Sequence, residues 1–203
     1  MMRKIVIAAL IGLVVGPALA QSPPAGTPTR IRGTADNLDG QNLMVKSRDG
    51  QTLTIELAAN VAVITLVKKS IADIKAGDYV ASTGVKGTDG KIHAIEVRIF
   101  PEAARGTGEG QYPWDLMPDS VMTNATVGKV DQAPQGPVLH VTFKGTESEY
   151  TVGPDVPVLA NGPGDISLLK PGVAVFVIAL KHEDGKLTSA RLYAEKDGIK
   201  PPM

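Results

Sequence analysis

Apolar and polar positions alternate in short runs along residues 30–100, and the runs are separated by turn residues. Alternation of this kind predicts β-strands, because successive side chains of a half-buried strand point to the core and to solvent in turn. The predicted strands cover residues 31–36, 42–47, 52–57, 78–85 and 91–100. Asp39-Gly40, Asp49-Gly50 and Asp89-Gly90 stand between successive runs and are typical of tight hairpin turns. Residues 70–74 are expected to form a single helical turn.

The second half of the chain repeats this arrangement at a spacing of 95 residues. The repeated positions are turn glycines, an Asp-Gly-Lys turn and apolar residues of predicted strands. They include Gly33 with Gly128, Gly50 with Gly145, Val61 with Val156, Ile71 with Ile166, Gly77 with Gly172, Val80 with Val175, and Asp89-Gly90-Lys91 with Asp184-Gly185-Lys186. Identities that cluster at turns and strand positions indicate an internal duplication. The two units cover residues 30–100 and 124–196.

Three strands, one short helical turn and two further strands, taken twice, predict an all-β protein of two tandem small OB-like β-barrels. Barrel 1 is expected at 30–100 and barrel 2 at 124–196, followed by a tail at 197–203. Units of about 70 residues are close to the smallest size that buries a core alone, so the barrels are expected to pack on each other. A Lys-x-Gly sequence precedes a strand in each unit, and a positive φ is expected at Gly77 and Gly172.

Two short motifs, each present in both units, resemble a known family. They are Ile74-Lys75-Ala76-Gly77-Asp78-Tyr79-Val80 and Asp89-Gly90-Lys91-Ile92-His93-Ala94-Ile95-Glu96-Val97 in the first unit, and Leu169-Lys170-Pro171-Gly172-Val173-Ala174-Val175 and Asp184-Gly185-Lys186-Leu187 in the second. With Gly33 in the first strand, they resemble a bacterial exported domain-of-unknown-function family of tandem OB-like β-barrel repeats. Val173 stands where the family outline has an acidic residue. The resemblance covers about 140 of 203 residues, and it implies the fold and export but no catalytic residues.

Residues 1–20 have the three-part layout of a secretory signal peptide. Basic Arg3 and Lys4 precede an apolar run, and Ala18-Leu19-Ala20 forms a small-x-small cleavage sequence. Cleavage leaves 183 residues with 19 basic and 21 acidic side chains, a net charge of −2, and a flexible proline-rich leader at 21–29. The apolar run is short for a membrane span, and the chain has no cysteine. We therefore expect a periplasmic or secreted protein of the bacterial cell envelope, with no membrane span after cleavage.

The segment 101–123 belongs to neither unit. It contains Tyr112, Asp115, Met117 and the single tryptophan of the chain, Trp114. Irregular connections of this length inside a compact protein are usually functional or disordered, and the aromatic content argues against a bare linker. Two further interpretations stay open: the aromatic residues form a plug between the barrels, or the segment binds a ligand or partner at the inter-domain cleft. Under the second interpretation, the predicted binding residues are Tyr112, Trp114, Asp115 and Met117.

Known catalytic and metal-binding patterns are missing from the sequence. His93, His140 and His182 are far apart along the chain, whereas soft-metal sites favour clustered ligands. There is no G-x-S-x-G sequence, no phosphate-binding loop and no dinucleotide fingerprint. No cofactor, catalytic residue or metal ligand is therefore assigned. Nucleic-acid binding is not expected either, because single-strand binders use a basic groove and the mature chain is slightly acidic.

These patterns favour a non-enzymatic exported protein that binds an unidentified envelope protein or small ligand. The alternative is a metal-handling or hydrolytic protein with a composite site at the barrel interface. Such a site requires residues that are distant in sequence to meet in the fold. Either the three histidines approach one another within ligand distance, or Glu109 lies beside Asp115 as an acid–base pair.

Overall fold

A computed structural model describes residues 26–202, so the expected signal peptide at 1–20 and most of the leader lie outside the described residues. The described chain is all-β, with twelve strands and three single 3₁₀ turns. The strands are β1 (Thr27–Asp39), β2 (Asn42–Ser47), β3 (Thr52–Lys69), β4 (Tyr79–Lys86), β5 (Ile92–Ile99), β6 (Gly110–Pro113), β7 (Ser120–Ala133), β8 (Gly136–Phe143), β9 (Thr146–Thr151), β10 (Val158–Pro163), β11 (Ala174–Lys181) and β12 (Leu187–Ala194). The 3₁₀ turns lie at Ile71–Asp73, Glu102–Ala104 and Ile166–Leu168.

The hairpins predicted from the Asp-Gly pairs are present. β1 pairs antiparallel with β2, and Leu38 faces Leu43 next to the Asp39-Gly40 turn. The conformation predicted for the Lys-x-Gly sequences is confirmed, because φ is 90° at Gly77 and 87° at Gly172. Glycine adopts this conformation without steric cost, which lets the chain turn from each 3₁₀ segment into the following strand.

Five strands close into a barrel. β1 lies between β2 and β11, β3 follows β2, and β12 joins β11 to β3 through a parallel pairing. Inward-facing aliphatic side chains fill the interior: Ile31, Ala35, Leu43, Val45, Ile55, Leu57, Val63, Leu169, Val175, Val177, Ala179, Leu187, Leu192 and Ala194. Gly33 allows β1 to approach β2 closely, since a Cβ at that position would lie 2.1 Å from the carbonyl oxygen of Lys46.

Five other strands form a ring, in which β7 lies between β4 and β8, β5 follows β4, and β9 follows β8. A short parallel pairing of β5 with β9 closes the ring at Ile92–Tyr150 and His93–Thr151. The ring has its own buried apolar cluster: Ile74, Val80, Ala94, Val97, Ala125, Val127, Leu139, Val141, Tyr150, Val152 and Val158. β10 pairs with β3 of the barrel on one side and with β5 of the ring on the other.

The strands are divided between the barrel and the ring differently from the expected division at 30–100 and 124–196. The barrel takes β1 to β3 from the first unit and β11 and β12 from the second, whereas the ring takes β4 and β5 from the first and β7 to β9 from the second. The length of β3 explains this exchange. Its 18 residues extend over about 60 Å at roughly 3.3 Å per residue. Its beginning pairs with β2 and its end, Ile64–Lys69, pairs with β10, so the chain leaves the barrel before β4 begins.

Two further features concern the surface of the fold. Within residues 26–202, no helix combines the length and the apolar character that are needed to cross a bilayer. The segment expected as a tail packs against the barrel as far as Pro202, because Pro201 is buried and the carbonyl oxygen of Pro202 accepts a hydrogen bond from Arg32 Nε at 3.1 Å.

Candidate functional site

A cleft of about 300 Å³ lies where the barrel, the ring and the segment 101–123 meet. Its lining comes from β1, β11 and β12 of the barrel, from β4, β5 and β7 of the ring, and from the connecting segment. The lining residues are Pro28, Thr29, Arg30, Ala81, Arg98, Phe100, Thr107, Gly108, Tyr112, Trp114, Met122, Asn124, Phe176, Ile178, Arg191, Tyr193 and Pro202. A concave site of this volume, with aromatic walls and a few polar groups, is typical of small-molecule binding sites.

Arginine and aromatic side chains stack on one another at this cleft. The guanidinium carbon of Arg30 lies 4.1 Å from the ring centroid of Trp114. Arg32 lies on the neighbouring aromatic side chain, Phe176, with its guanidinium carbon 4.5 Å from the ring centroid. The rings of Trp114 and Phe176 meet edge to face at 6.4 Å, and Tyr112 meets Trp114 in the same way at 6.1 Å. Attraction between cations and aromatic rings therefore helps to fix the position of Trp114.

The row of stacked side chains continues towards the five-strand ring that contains β5. Phe176 stacks on Tyr193 with 5.9 Å between the ring centroids. The guanidinium carbon of Arg98 lies 4.9 Å from the centroid of Tyr193. Arg98 is 7% exposed, and its Nη2 donates a 2.6 Å hydrogen bond to Glu96. A row of aromatic side chains that is flanked by arginines thus joins the barrel to the five-strand ring.

Local hydrogen bonds hold the tryptophan at the cleft. β6 pairs with β7, and Tyr112 lies opposite Met122. The turn that follows is closed by a 2.7 Å bond from the Trp114 amide to the carbonyl oxygen of Ser120, and the Ser120 hydroxyl donates back to the Trp114 carbonyl at 2.9 Å. These bonds connect the segment to the ring, while the Trp114 side chain packs against Phe176 of the barrel.

Asp115 is bound by arginines of the barrel. Arg32 Nη1 donates to Asp115 Oδ2 at 2.7 Å, and the Arg32 side chain is only 1% exposed. Arg48 donates to the carbonyl oxygen of Asp115 at 2.8 Å. Burial of the Asp115 carboxyl group raises its pKa, but the hydrogen bond and charge of Arg32, together with the charge of Arg30, lower it further than burial raises it. The pKa of Asp115 is therefore below its ordinary value, and the carboxylate acts as an anchor for the neighbouring tryptophan.

Positive charge dominates the lining of the cleft. Its charged lining residues are Arg30, Arg98 and Arg191, and no carboxylate of residues 26–202 is among them. Arg30 lies 3.8 Å from Asp115 and Arg98 pairs with Glu96, whereas no ion pair within the described part of the chain involves Arg191. The cleft therefore presents guanidinium groups beside aromatic surface.

Two of the four binding residues predicted from the sequence line the cleft, and the other two do not. Tyr112 and Trp114 line the cleft. Asp115 is engaged by Arg32, and Met117 is 46% exposed and is not part of the lining. The other cleft residues were missed, although one sequence signal was available. Arg30 and Arg32 are two residues apart on β1, so they share the strand face opposite to Ile31.

A second tyrosine anchors the connecting segment to the ring. Tyr79 is 2% exposed, and its hydroxyl donates to the carbonyl oxygen of Thr107 at 3.2 Å. Burial, followed by the charges of Glu109 and Tyr112, raises the pKa of Tyr79 to about 12. The neutral phenol is therefore favoured in the folded protein.

We expect the raised pKa of Tyr79 to be visible in alkaline titration. The folded chain should lose stability as the pH rises from 10, the ordinary value, towards about 12, because the unfolded state ionises first. Burial also raises the pKa values of Tyr112 and Tyr150, so tyrosinate absorbance should have a broad late part, and Tyr79→Phe should remove its latest step. An unchanged late step in the variant would assign it to another tyrosine.

The histidines and carboxylates of the alternative composite site have separate partners. His93 contacts Asp89 at 3.1 Å, and His182 contacts the Thr188 hydroxyl at 2.9 Å. The ring nitrogens of His140 contact Asp131 and Glu149, each at 3.0 Å. Within residues 26–202, no group of three histidine or acidic side chains has the geometry to hold a metal ion.

The two carboxylates of the acid–base pair, Glu109 and Asp115, also have separate partners. Glu109 Oε1 accepts a 2.9 Å hydrogen bond from the Lys144 amide, whereas Asp115 is bound by Arg32.

Comparison of the chain with models of known families, with characterised proteins and with solved structures finds no match. The function proposed below therefore depends on the sequence and on the geometry of the cleft.

Proposed function

We propose that this protein is a non-enzymatic, exported binding protein of the bacterial envelope, with the cleft beside Trp114 as its ligand site. The sequence features of 1–20 support the export. The exchange of strands supports a duplicated chain in which the ring is a second OB-like barrel. The observation that carries the proposed activity is the cleft itself: a concave site of about 300 Å³, one wall of which comes from the segment that belongs to neither unit.

The cleft favours a small ligand over a protein partner. A protein interface of standard size buries about 800 Å² on each side, whereas this concave site suits a compact molecule. Tyr112 and Trp114 supply flat apolar surface at the cleft. Their positions are fixed by β6 and by the Asp115–Arg32 ion pair, so the site is formed before a ligand arrives. Preformed sites lose less conformational entropy on binding.

Trp114 allows a direct test, because it is the only tryptophan. Its emission should change when a ligand occupies the cleft, and the same ligand should raise the unfolding midpoint. The screen uses a panel of small organic anions, neutral aromatic compounds, sugars and short peptides. Tyr112→Ala should weaken binding by removing one aromatic wall.

The control is Phe143→Ala, which removes a partly buried aromatic ring of the second apolar cluster and leaves the cleft lining intact. A binder that stabilises the wild-type and Tyr112→Ala proteins equally, without changing Trp114 emission, contradicts the assignment of the cleft. A panel that contains no binder at all contradicts the proposed function for these classes of ligand.

A further inference from the structure

A second cavity adjoins the cleft. It has a volume of about 500 Å³ and lies at one end of the barrel. Thr29 and Arg30 line both cavities, so the two cavities meet at these residues, and together they are called the groove. The cleft end of the groove is aromatic, and the barrel end is polar. A ligand that uses both ends would itself have two chemically different parts.

The charges along this groove are mostly positive. Arg48 and Lys181 line the barrel end together with one carboxylate, Asp49. In the cleft, Arg30 and Arg191 add two exposed guanidinium groups. Asp115 pairs closely with Arg32 and lies 3.8 Å from Arg30, and Glu96 pairs with Arg98. The cations along the groove still outnumber these carboxylates, so the groove has an excess of positive charge.

One cleft arginine also has unused hydrogen-bonding capacity. Arg98 is 7% exposed, and its Nε has no hydrogen-bond partner within residues 26–202. Its Nη2 is bound to Glu96. Buried polar groups in native proteins are nearly always hydrogen-bonded. The Arg98 Nε is itself shielded from solvent, so Arg98 contributes positive charge to the cleft wall rather than an exposed donor.

Accepting the proposed function, on which this step rests, we infer that the ligand is an amphipathic organic anion with a planar apolar body. Its flat part packs against Trp114 and Tyr112, and its acidic group pairs with Arg30 at the junction of the two cavities. Arginine suits this role because its planar guanidinium group stacks on an aromatic ring and still donates hydrogen bonds to an acidic group. Arg30 already lies on Trp114 at 4.1 Å.

Two dyes with the same aromatic body test the charge. 1-Anilinonaphthalene-8-sulfonate has a flat naphthalene ring system and is anionic, and N-phenyl-1-naphthylamine lacks the sulfonate. Both accept excitation energy from tryptophan, so sensitised dye emission places a bound dye near Trp114. We expect the sulfonate to bind at least about tenfold more tightly, the effect of one charge-assisted interaction. Equal affinity of the two dyes overturns the inference while leaving the proposed function intact, whereas the absence of sensitised emission from both dyes contradicts the cleft as a site.

Variants then locate the acidic group. Arg30→Gln should weaken sulfonate binding by about tenfold and should weaken N-phenyl-1-naphthylamine binding much less, because the neutral dye loses no charge interaction. Lys86→Gln is the control, because Lys86 is exposed, lies outside both cavities and causes the same change of net charge. An equal loss in both variants indicates a general effect of charge and overturns the role of Arg30. Circular dichroism of each variant verifies the fold.

Competition experiments define the body of the ligand. A naphthalene carboxylate should displace the bound sulfonate dye more effectively than an alkyl carboxylate of equal carbon number, because stacking on Trp114 requires a flat surface. Stronger displacement by the alkyl carboxylate contradicts the planar body. Displacement by neither carboxylate contradicts recognition of organic acids at this groove.

Discussion

Asp115→Asn is expected to lower the free energy of unfolding by about 2–3 kcal/mol. Asparagine keeps the shape of the side chain but leaves the guanidinium group of Arg32, whose side chain is 1% exposed, without its anion. Removing one partner of a fully buried pair costs about 3–5 kcal/mol. The expected effect is smaller here because the Asp115 side chain is 38% exposed and solvent screens part of the charge. Urea unfolding, monitored by the emission of Trp114, measures the loss.

Glu102→Gln is the matched control for this substitution. Glu102 likewise pairs with an arginine, Arg105, in the same connecting segment, and its carboxylate accepts two hydrogen bonds from it, but its side chain is 76% exposed. Exposed ion pairs contribute little to stability, so this variant should unfold like the wild type. Equal unfolding curves for Asp115→Asn and the wild type would show that Arg32 finds sufficient compensation elsewhere, and would contradict the anchoring role.

The pH dependence of the same pair has a defined sign. The pKa of Asp115 is lower in the folded state than its ordinary value of 3.8, so the folded state binds this proton less strongly than the unfolded state. Its contribution to stability is complete well above pH 3.8 and is lost as the pH falls through the folded pKa. Asp115→Asn has no carboxyl group to protonate, so the difference in stability between the two proteins should narrow in acid.

The local elements could be predicted from the sequence because they depend on local chemistry. Alternation and Asp-Gly turns placed the hairpins, and Lys-x-Gly placed the positive φ at Gly77 and Gly172. The pairing of strands could not be predicted in the same way. A strand has two edges, and where two similar units are predicted, each edge can pair with a strand of either unit. The continuous run of 52–69 was the available signal, since a strand of that length extends beyond one small barrel.

The site was predicted in part for a similar reason. Tyr112 and Trp114 stood out because large aromatic residues are rare in this chain. The arginines that line the cleft with them lie on β1, β5 and β12, and their convergence depends on the strand exchange. The sequence predicts ligand binding by Asp115 because it belongs to the acidic and aromatic connecting segment. In the fold, a buried arginine on β1, Arg32, pairs with its carboxylate.

Cleavage of the chain between Arg105 and Gly106 is expected to leave its two halves associated. Both residues are exposed in the connecting segment, and exposed loops tolerate insertions, so a protease recognition sequence can be inserted there. After cleavage, each half still contributes strands to both the barrel and the ring. The fragments should elute together from a sizing column in native buffer and separate in denaturant, which verifies that cleavage is complete.

Dilution of the cleaved protein distinguishes shared strands from simple packing between two independent barrels. The half that ends at Arg105 lacks β11 and β12, so it cannot close the barrel, and the other half lacks β4 and β5, so it cannot close the ring. Dissociation should therefore coincide with the loss of the β-sheet circular dichroism signal, and the unfolding midpoint should rise with protein concentration. Fragments that separate on dilution and retain their sheet signal would show that each unit closes its own barrel. In the cleaved wild-type protein, the Asp115–Arg32 pair joins the two fragments. The cleaved Asp115→Asn variant should therefore unfold at a lower midpoint than the cleaved wild type.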